Sequence, residues 1–299
     1  MLSAAPLGAA QAKLNVFACV PEWAALAEAI GGDGVEVTLA TSALDNPDAI
    51  KPTPALIADL KDADLIVCTG AGLEDAWLEP MIERSGNAGV APGQPGHFLA
   101  SAFVTLLEDS HGGEEEDEEE GHLHEEGNPH IQGDPRNVLK VAAQLAKRLS
   151  VMDAENKAAY GQNAKAFIGR MNALIGELEQ KAAPLKGVNI AVQHEHSLYL
   201  LEWLGVEAAA TVEPEPGVPP GPQHLAAVIE AVPARDMKFV IHAAYEDPGP
   251  SKFVSDKAGI PLVNLPFTVG GTPEAKDLFS LYEDSVARLL DGLQGRGRS

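Results

Sequence analysis

Short apolar runs alternate with helix-forming segments near both ends of this 299-residue chain, and that alternation constrains the fold more than any other feature. Residues 14–19, 35–39 and 65–68 are apolar and β-branched enough to be strands. Segments with helical signals at 21–30, closed by Gly31-Gly32, and at 54–61 lie between them. A helix between consecutive strands returns the chain to the same edge, so the strands pair in parallel and the lobe is α/β. The pattern resumes with strands at 188–192, 238–242 and 262–265. Helices at 197–204, 224–231, 251–259 and 274–293 accompany them. Residues 88–96 and 211–222, rich in Gly and Pro, read as loops.

Between the two runs the period changes. Asp134-Pro135 gives an N-cap followed by Pro at the first helical position, opening a helix to about Leu149. A second helix, capped by Asp153, extends to Lys181. Its apolar positions Ala164, Phe167, Met171, Leu174 and Leu178 are three and four residues apart and form one stripe. At 1.5 Å per residue such a helix spans about 40 Å, long enough to lie across two lobes as a rigid connector.

The net charge of −23 excludes nucleic acid and anionic membrane surfaces as partners and favours cationic ligands. Much of the excess lies in one segment, 108–127, where Glu114 begins seven consecutive acids that end at Glu120. His111, His122 and His124 flank that run, and His130 follows shortly after. Acidic runs self-repel and stay solvated, whereas histidine-rich tracts bind metal, and the segment alone fits either reading. Residues 1–12 are small and apolar and end in Ala10-Gln11-Ala12, the expected remnant of a signal peptide. No apolar run is long enough to span a bilayer. The only two cysteines, Cys19 and Cys68, close strand-like runs; they form a disulfide if those strands are neighbours, or remain buried thiols. No Cys-x-x-Cys spacing exists, which excludes a thiolate zinc site.

Two histidines occupy positions where an α/β sheet binds ligands. His194 lies just beyond the carboxyl end of strand 188–192, and His130 immediately precedes a helix cap. Several stretches around them resemble the cluster of zinc and manganese solute-binding proteins that serve ABC importers. They are Asn46-Pro-Asp-Ala-Ile-Lys-Pro-Thr-Pro54, Ala63-Asp-Leu-Ile-Val-Cys-Thr-Gly70 with Leu73-Glu74, and Asn128-Pro-His-Ile-Gln-Gly-Asp-Pro-Arg136. His194-Glu-His-Ser-Leu-Tyr199 and Leu265-Pro-Phe-Thr-Val-Gly-Gly271 complete the ordered set.

The resemblance implies two Rossmann-like α/β lobes with parallel sheets, joined by a long rigid helix, with the metal site in the interlobe cleft. The boundaries are 13–150 for the first lobe, 151–184 for the linking helix and 185–299 for the second lobe. It implies a periplasmic, monomeric binding protein, not an enzyme, whose partner is a membrane permease and whose transported ligand is Zn2+, with Mn2+ or Fe2+ as alternatives. Its ligand positions fall on His130 and His194, the latter matching better than His196. In the first motif the family carries Asp-Pro-His, and here Asp48 occupies the place of that histidine. For the remaining position the candidates are Glu213 and Glu215, Glu246 and Asp247, with His124 a replacement for the missing imidazole. Two imidazoles with two carboxylates suit manganese or iron as well as zinc, whereas the histidine-rich segment favours zinc. The competing reading is a zinc hydrolase built on Asp48, His130 and His194 with an open fourth position, although His-Glu-x-x-His spacing is absent. His97 and His224 read as surface residues and His242 as part of the sheet.

Overall fold

Both runs fold as separate four-stranded parallel sheets in the computed structural model, which describes residues 13–108, 127–215 and 217–297. The first contains β1 (Leu14–Ala18), β2 (Val35–Leu39), β3 (Leu65–Cys68) and β4 (His97–Leu99) in the order β2-β1-β3-β4. Helices α1 (Pro21–Gly31), α2 (Pro54–Lys61) and α3 (Leu78–Ser85) connect them. Two helices follow, α4 (Pro135–Met152) and α5 (Lys157–Lys181). The second sheet contains β5 (Asn189–Val192), β6 (Glu207–Thr211), β7 (Val240–Ala243) and β8 (Leu262–Leu265), ordered β6-β5-β7-β8. Its helices are α6 (Leu198–Leu204), α7 (Pro222–Ala234), α8 (Gly249–Ala258) and α9 (Leu278–Leu293).

Two strands and one helix exceed what periodicity shows. β4 has only three residues behind a Gly- and Pro-rich stretch, and β6 is built around Ala208-Ala-Ala210, which carries no strand preference. Helix α3 caps itself with Gly86 in the left-handed region at φ 69°, where a side chain would be strained. Helix α5 starts at Lys157 and not at Asp153. Asp153 instead accepts hydrogen bonds from the Tyr160 hydroxyl and from Asn156 Nδ2, both at 2.7 Å, and ties the joint between α4 and α5. His97 is half-buried in β4, with Nδ1 2.8 Å from the Val90 carbonyl. His224 is also partly buried, against the Thr211 carbonyl.

One apolar cluster runs from the first sheet through α4 and α5 into the second sheet and α9. The stripe of α5 is buried throughout, and the helix packs on α1 and α4 on one side and α9 on the other. Burying it on both sides makes α5 a shared core element, and large-to-small changes along the stripe cost about 2–5 kcal/mol each. Polar ties reinforce the junction. Thr268, after β8, donates to Glu22 of α1 at 2.5 Å, and the Tyr282 hydroxyl of α9 donates to the Gln132 carbonyl at 2.6 Å.

The first sheet is also covalently clamped. Ala18 and Val67 are register partners on adjacent strands, so the next residues, Cys19 and Cys68, face each other and are joined in a disulfide with Cα atoms 4.9 Å apart.

Candidate metal centre

Three imidazoles meet where the carboxyl ends of the second sheet face the start of α4. The turn Asn128-Pro129-His130 is held by local chemistry. Asn128 Oδ1 accepts the His130 N–H at 3.0 Å, while Asn128 Nδ2 donates to the Glu195 carbonyl of the opposite lobe at 3.2 Å. The Tyr199 hydroxyl donates to the Asn128 carbonyl and accepts the Leu107 N–H, both at 2.8 Å. His130 is thereby presented from a fixed backbone and is 3% exposed.

His194 follows β5 in extended backbone, and a single 3-10 turn, Glu195–Ser197, places His196 beside it. The two rings stack with centroids 5.5 Å apart; His130 lies 6.3 Å from His194 and 6.2 Å from His196. Phe267 packs edge-on against both His130 and His196, and Tyr245 lies against His196 and Phe267. These aromatic walls exclude water and strengthen every electrostatic interaction inside them.

Carboxylates surround the rings. Glu213 Oε2 is 2.9 Å from His194 Nδ1 and also accepts the Gly217 N–H, so it fixes the ring and is fixed in turn. Glu246 accepts the Ala243 N–H at 2.6 Å, and its Oε1 is 3.5 Å from His196 Nδ1. Asp48 sits in the turn Pro47–Ala49, anchored by the Asn46 side chain and by Trp77, which donates to the Pro47 carbonyl at 2.8 Å. Its charge reaches both His194 and Tyr245.

These charges set protonation. Burial lowers the His194 pKa, but Glu213, with Glu246 and Asp48 behind it, reverses that effect and the net shift is upward. Burial and the neighbouring His194 hold His196 well below the usual histidine range, so it stays neutral. Desolvation pushes Glu246 up to about 7. A buried site with imidazoles and several carboxylates favours a cation, and a divalent ion competes with the protons these groups carry.

The donor atoms are gathered but not closed: among the described residues, the cleft groups do not bring three ligand atoms within 4.8 Å of one another. Cys19, Cys68 and Glu74 do meet that distance, yet the thiols are spent in the disulfide. Glu74 accepts the Thr69 and Gly70 N–H groups at 2.8 Å each. That cluster is structural.

Of the residues singled out in the sequence, Asp48, His130, His194 and Glu213 converge here, as does Glu246. Asp247 accepts the Gly249 N–H at the start of α8 through its side chain. His124, the acids from Glu114 to Glu120 and residues 1–12 lie outside the described residues. Sequence reasoning ranked His196 below His194 and assigned no role in the site to Tyr245 or Phe267. No strand period marked His196, because it is the 3-10 turn Glu195–Ser197 that brings its ring beside His194.

Residues 16–292 match the family described as ZnuA, zinc-uptake complex component A, periplasmic. The zinc-binding lipoprotein AdcA of Streptococcus pneumoniae is 24% identical over 291 residues, covering 94% of this chain and 56% of its own length. The chain thus spans little more than half of that relative. The manganese ABC transporter substrate-binding lipoprotein scaA of Streptococcus gordonii is 24% identical over 290 residues, 94% of this chain and 89% of its own. A crystal structure of ZnuA superposes with a TM-score of 0.76 at 23% identity over 93% of this chain and 98% of that one, which establishes the shared two-lobe fold.

Proposed function

The chain belongs to the ZnuA family of periplasmic zinc-uptake components, and on that premise we infer that it is an extracytoplasmic solute-binding protein that holds a divalent metal between its lobes and delivers it to an ABC-type importer. Residues 13–150 and 185–299 act as the lobes and 151–184 as their connector. The observation that carries the reading is the convergence of His130 from one lobe and His194 from the other, with the Asp48 carboxylate acting on the same pocket. Each lobe alone offers an incomplete ligand set, so capture depends on both, and a single chain suffices as a monomer. A disulfide suits an oxidising compartment outside the cytoplasm. Among the described residues no helix is long and apolar enough to cross a membrane.

His130 and His194 are assigned as nitrogen ligands and Asp48 as an oxygen ligand standing where the family pattern has a histidine. Glu213 takes the role of a carboxylate that holds the second ring nitrogen of His194, raising its basicity and fixing its orientation. Imidazole nitrogen favours zinc, and we assign zinc as the cargo; the added carboxylates keep manganese or iron as the second reading. The hydrolase reading loses to membership in a family of uptake components.

Competition titration of the purified protein with zinc, manganese and ferrous iron decides the cargo. Zinc should bind most tightly, and the variants His130→Ala, His194→Ala and Asp48→Ala should each weaken it. Unchanged zinc affinity in all three would sink the site, and tighter manganese binding would reassign the cargo.

A further inference from the structure

His196 belongs neither to the family's ligand positions nor to the assignment above, and its surroundings are those of a ligand. It is 4% exposed, and its Nδ1 makes no hydrogen bond. A buried polar atom left without a partner costs about 1–3 kcal/mol, a cost removed when the ring settles against a carboxylate on its Nδ1 side. The nearest group is Glu246 Oε1 at 3.5 Å, beyond hydrogen-bond length but on the same ring nitrogen that Glu213 occupies in His194. The two adjacent histidines therefore repeat one design: a carboxylate on the Nδ1 side, with the second ring nitrogen left for an ion.

Ring spacing supports this. Three imidazoles bound to one tetrahedral ion through nitrogens at about 2.0–2.1 Å have centroids roughly 5 Å apart. The triangle formed by His130, His194 and His196 has sides of 6.3, 6.2 and 5.5 Å, so each ring needs to approach a shared centre by less than about 1 Å. Phe267, edge-on to His130 and to His196 alike, keeps their surroundings dry.

We propose that His196 is a third imidazole ligand of the cargo metal, positioned by Glu246, and that it replaces the histidine missing at Asp48. The site then has three nitrogens and the Asp48 oxygen, a donor set that selects zinc over manganese more strongly than two imidazoles and two carboxylates would. This rests on the metal-binding reading above and deepens it, since the third imidazole comes from the second lobe and not the first.

X-ray absorption on the zinc-loaded full chain counts imidazoles directly. Three per zinc are expected in the wild type and two in His196→Gln. Zinc affinity should fall at least a hundredfold in that variant, with manganese affinity changing less, and about tenfold or more in Glu246→Gln. A wild-type count of two, or unchanged zinc affinity in His196→Gln, overturns the proposal. The wild-type count decides even where a variant fails to fold. If His130→Ala and His194→Ala lose zinc while His196→Gln keeps it, the binding function stands and only the third ligand falls. If none of the three changes, both fall.

Discussion

The two lobes share a topology and divide the work unequally. The first is locked: a disulfide joins β1 to β3, Glu74 ties the residues after β3, and Glu22 is sealed beneath Thr268. Among its described residues, Asp48 and His130 enter the cleft, both from short turns. The second has no disulfide among its described residues, yet it carries His194, His196, Glu213 and Glu246 together with the aromatic wall of Tyr245 and Phe267. Covalent locking and the carboxylates that position the ligand rings are thus allotted to different halves, while each half supplies ligands. A binding protein built this way keeps one fixed jaw and adjusts its ligand rings on the other.

The largest test targets the fixed jaw. Replacing both cysteines, Cys19→Ser with Cys68→Ser, opens a loop spanning 49 residues and should cost about 4 kcal/mol of unfolding free energy, read from urea titration. Zinc affinity should change little, and a parallel collapse of affinity would break the division between the halves. Next comes Glu22. Burial raises its pKa to about 7 from an ordinary 4.5, so the native state holds a proton that the unfolded chain releases. That stabilisation is present below about pH 4.5 and lost as pH rises through 7, about 3 kcal/mol in all. Glu22→Gln keeps the Thr268 hydrogen bond without the charge, so the metal-free protein should be stabilised at pH 8 and lose that share of its pH dependence. Denaturant titrations at pH 5 and pH 8 measure it.

The third prediction moves to the adaptable jaw. Glu213→Gln should weaken zinc binding ten- to a hundredfold by loosening His194, with thermal stability of the metal-free protein nearly unchanged. An equal loss of stability would mean that Glu213 serves packing more than ligation. The smallest is Asp277→Ala, which removes the capping box of α9 and should cost about 1 kcal/mol of stability with no effect on zinc.

Most of the architecture was legible because helix and strand periods are local. The stripe from Ala164 to Leu178 and the N-cap Asp134 announce their elements from within a few residues. β4 and β6 escaped because their pairing partners, and not their composition, make them strands. For the site, His130 and His194 could be read from their places before a helix cap and after a strand. His196 was ranked below His194, because its significance comes from Glu246, Phe267 and His130, which lie 50, 71 and 66 positions away in the chain. The Glu22–Thr268 contact spans 246 residues and leaves no trace in either local sequence.

The hydroxyl of Tyr199 holds Leu107 and Asn128 together, and those residues also pair directly as an antiparallel bridge. The two stretches of chain that flank residues 109–126 are therefore clasped together close to His130. Once two such ends are joined, the length of chain between them can change at small cost, since each doubling adds about 0.6 kcal/mol of closure entropy. A lineage can lengthen, shorten or recode it while the ligand geometry stays as it is. The sequence between residues 108 and 127 and the ligand geometry are in this sense free to evolve at separate paces.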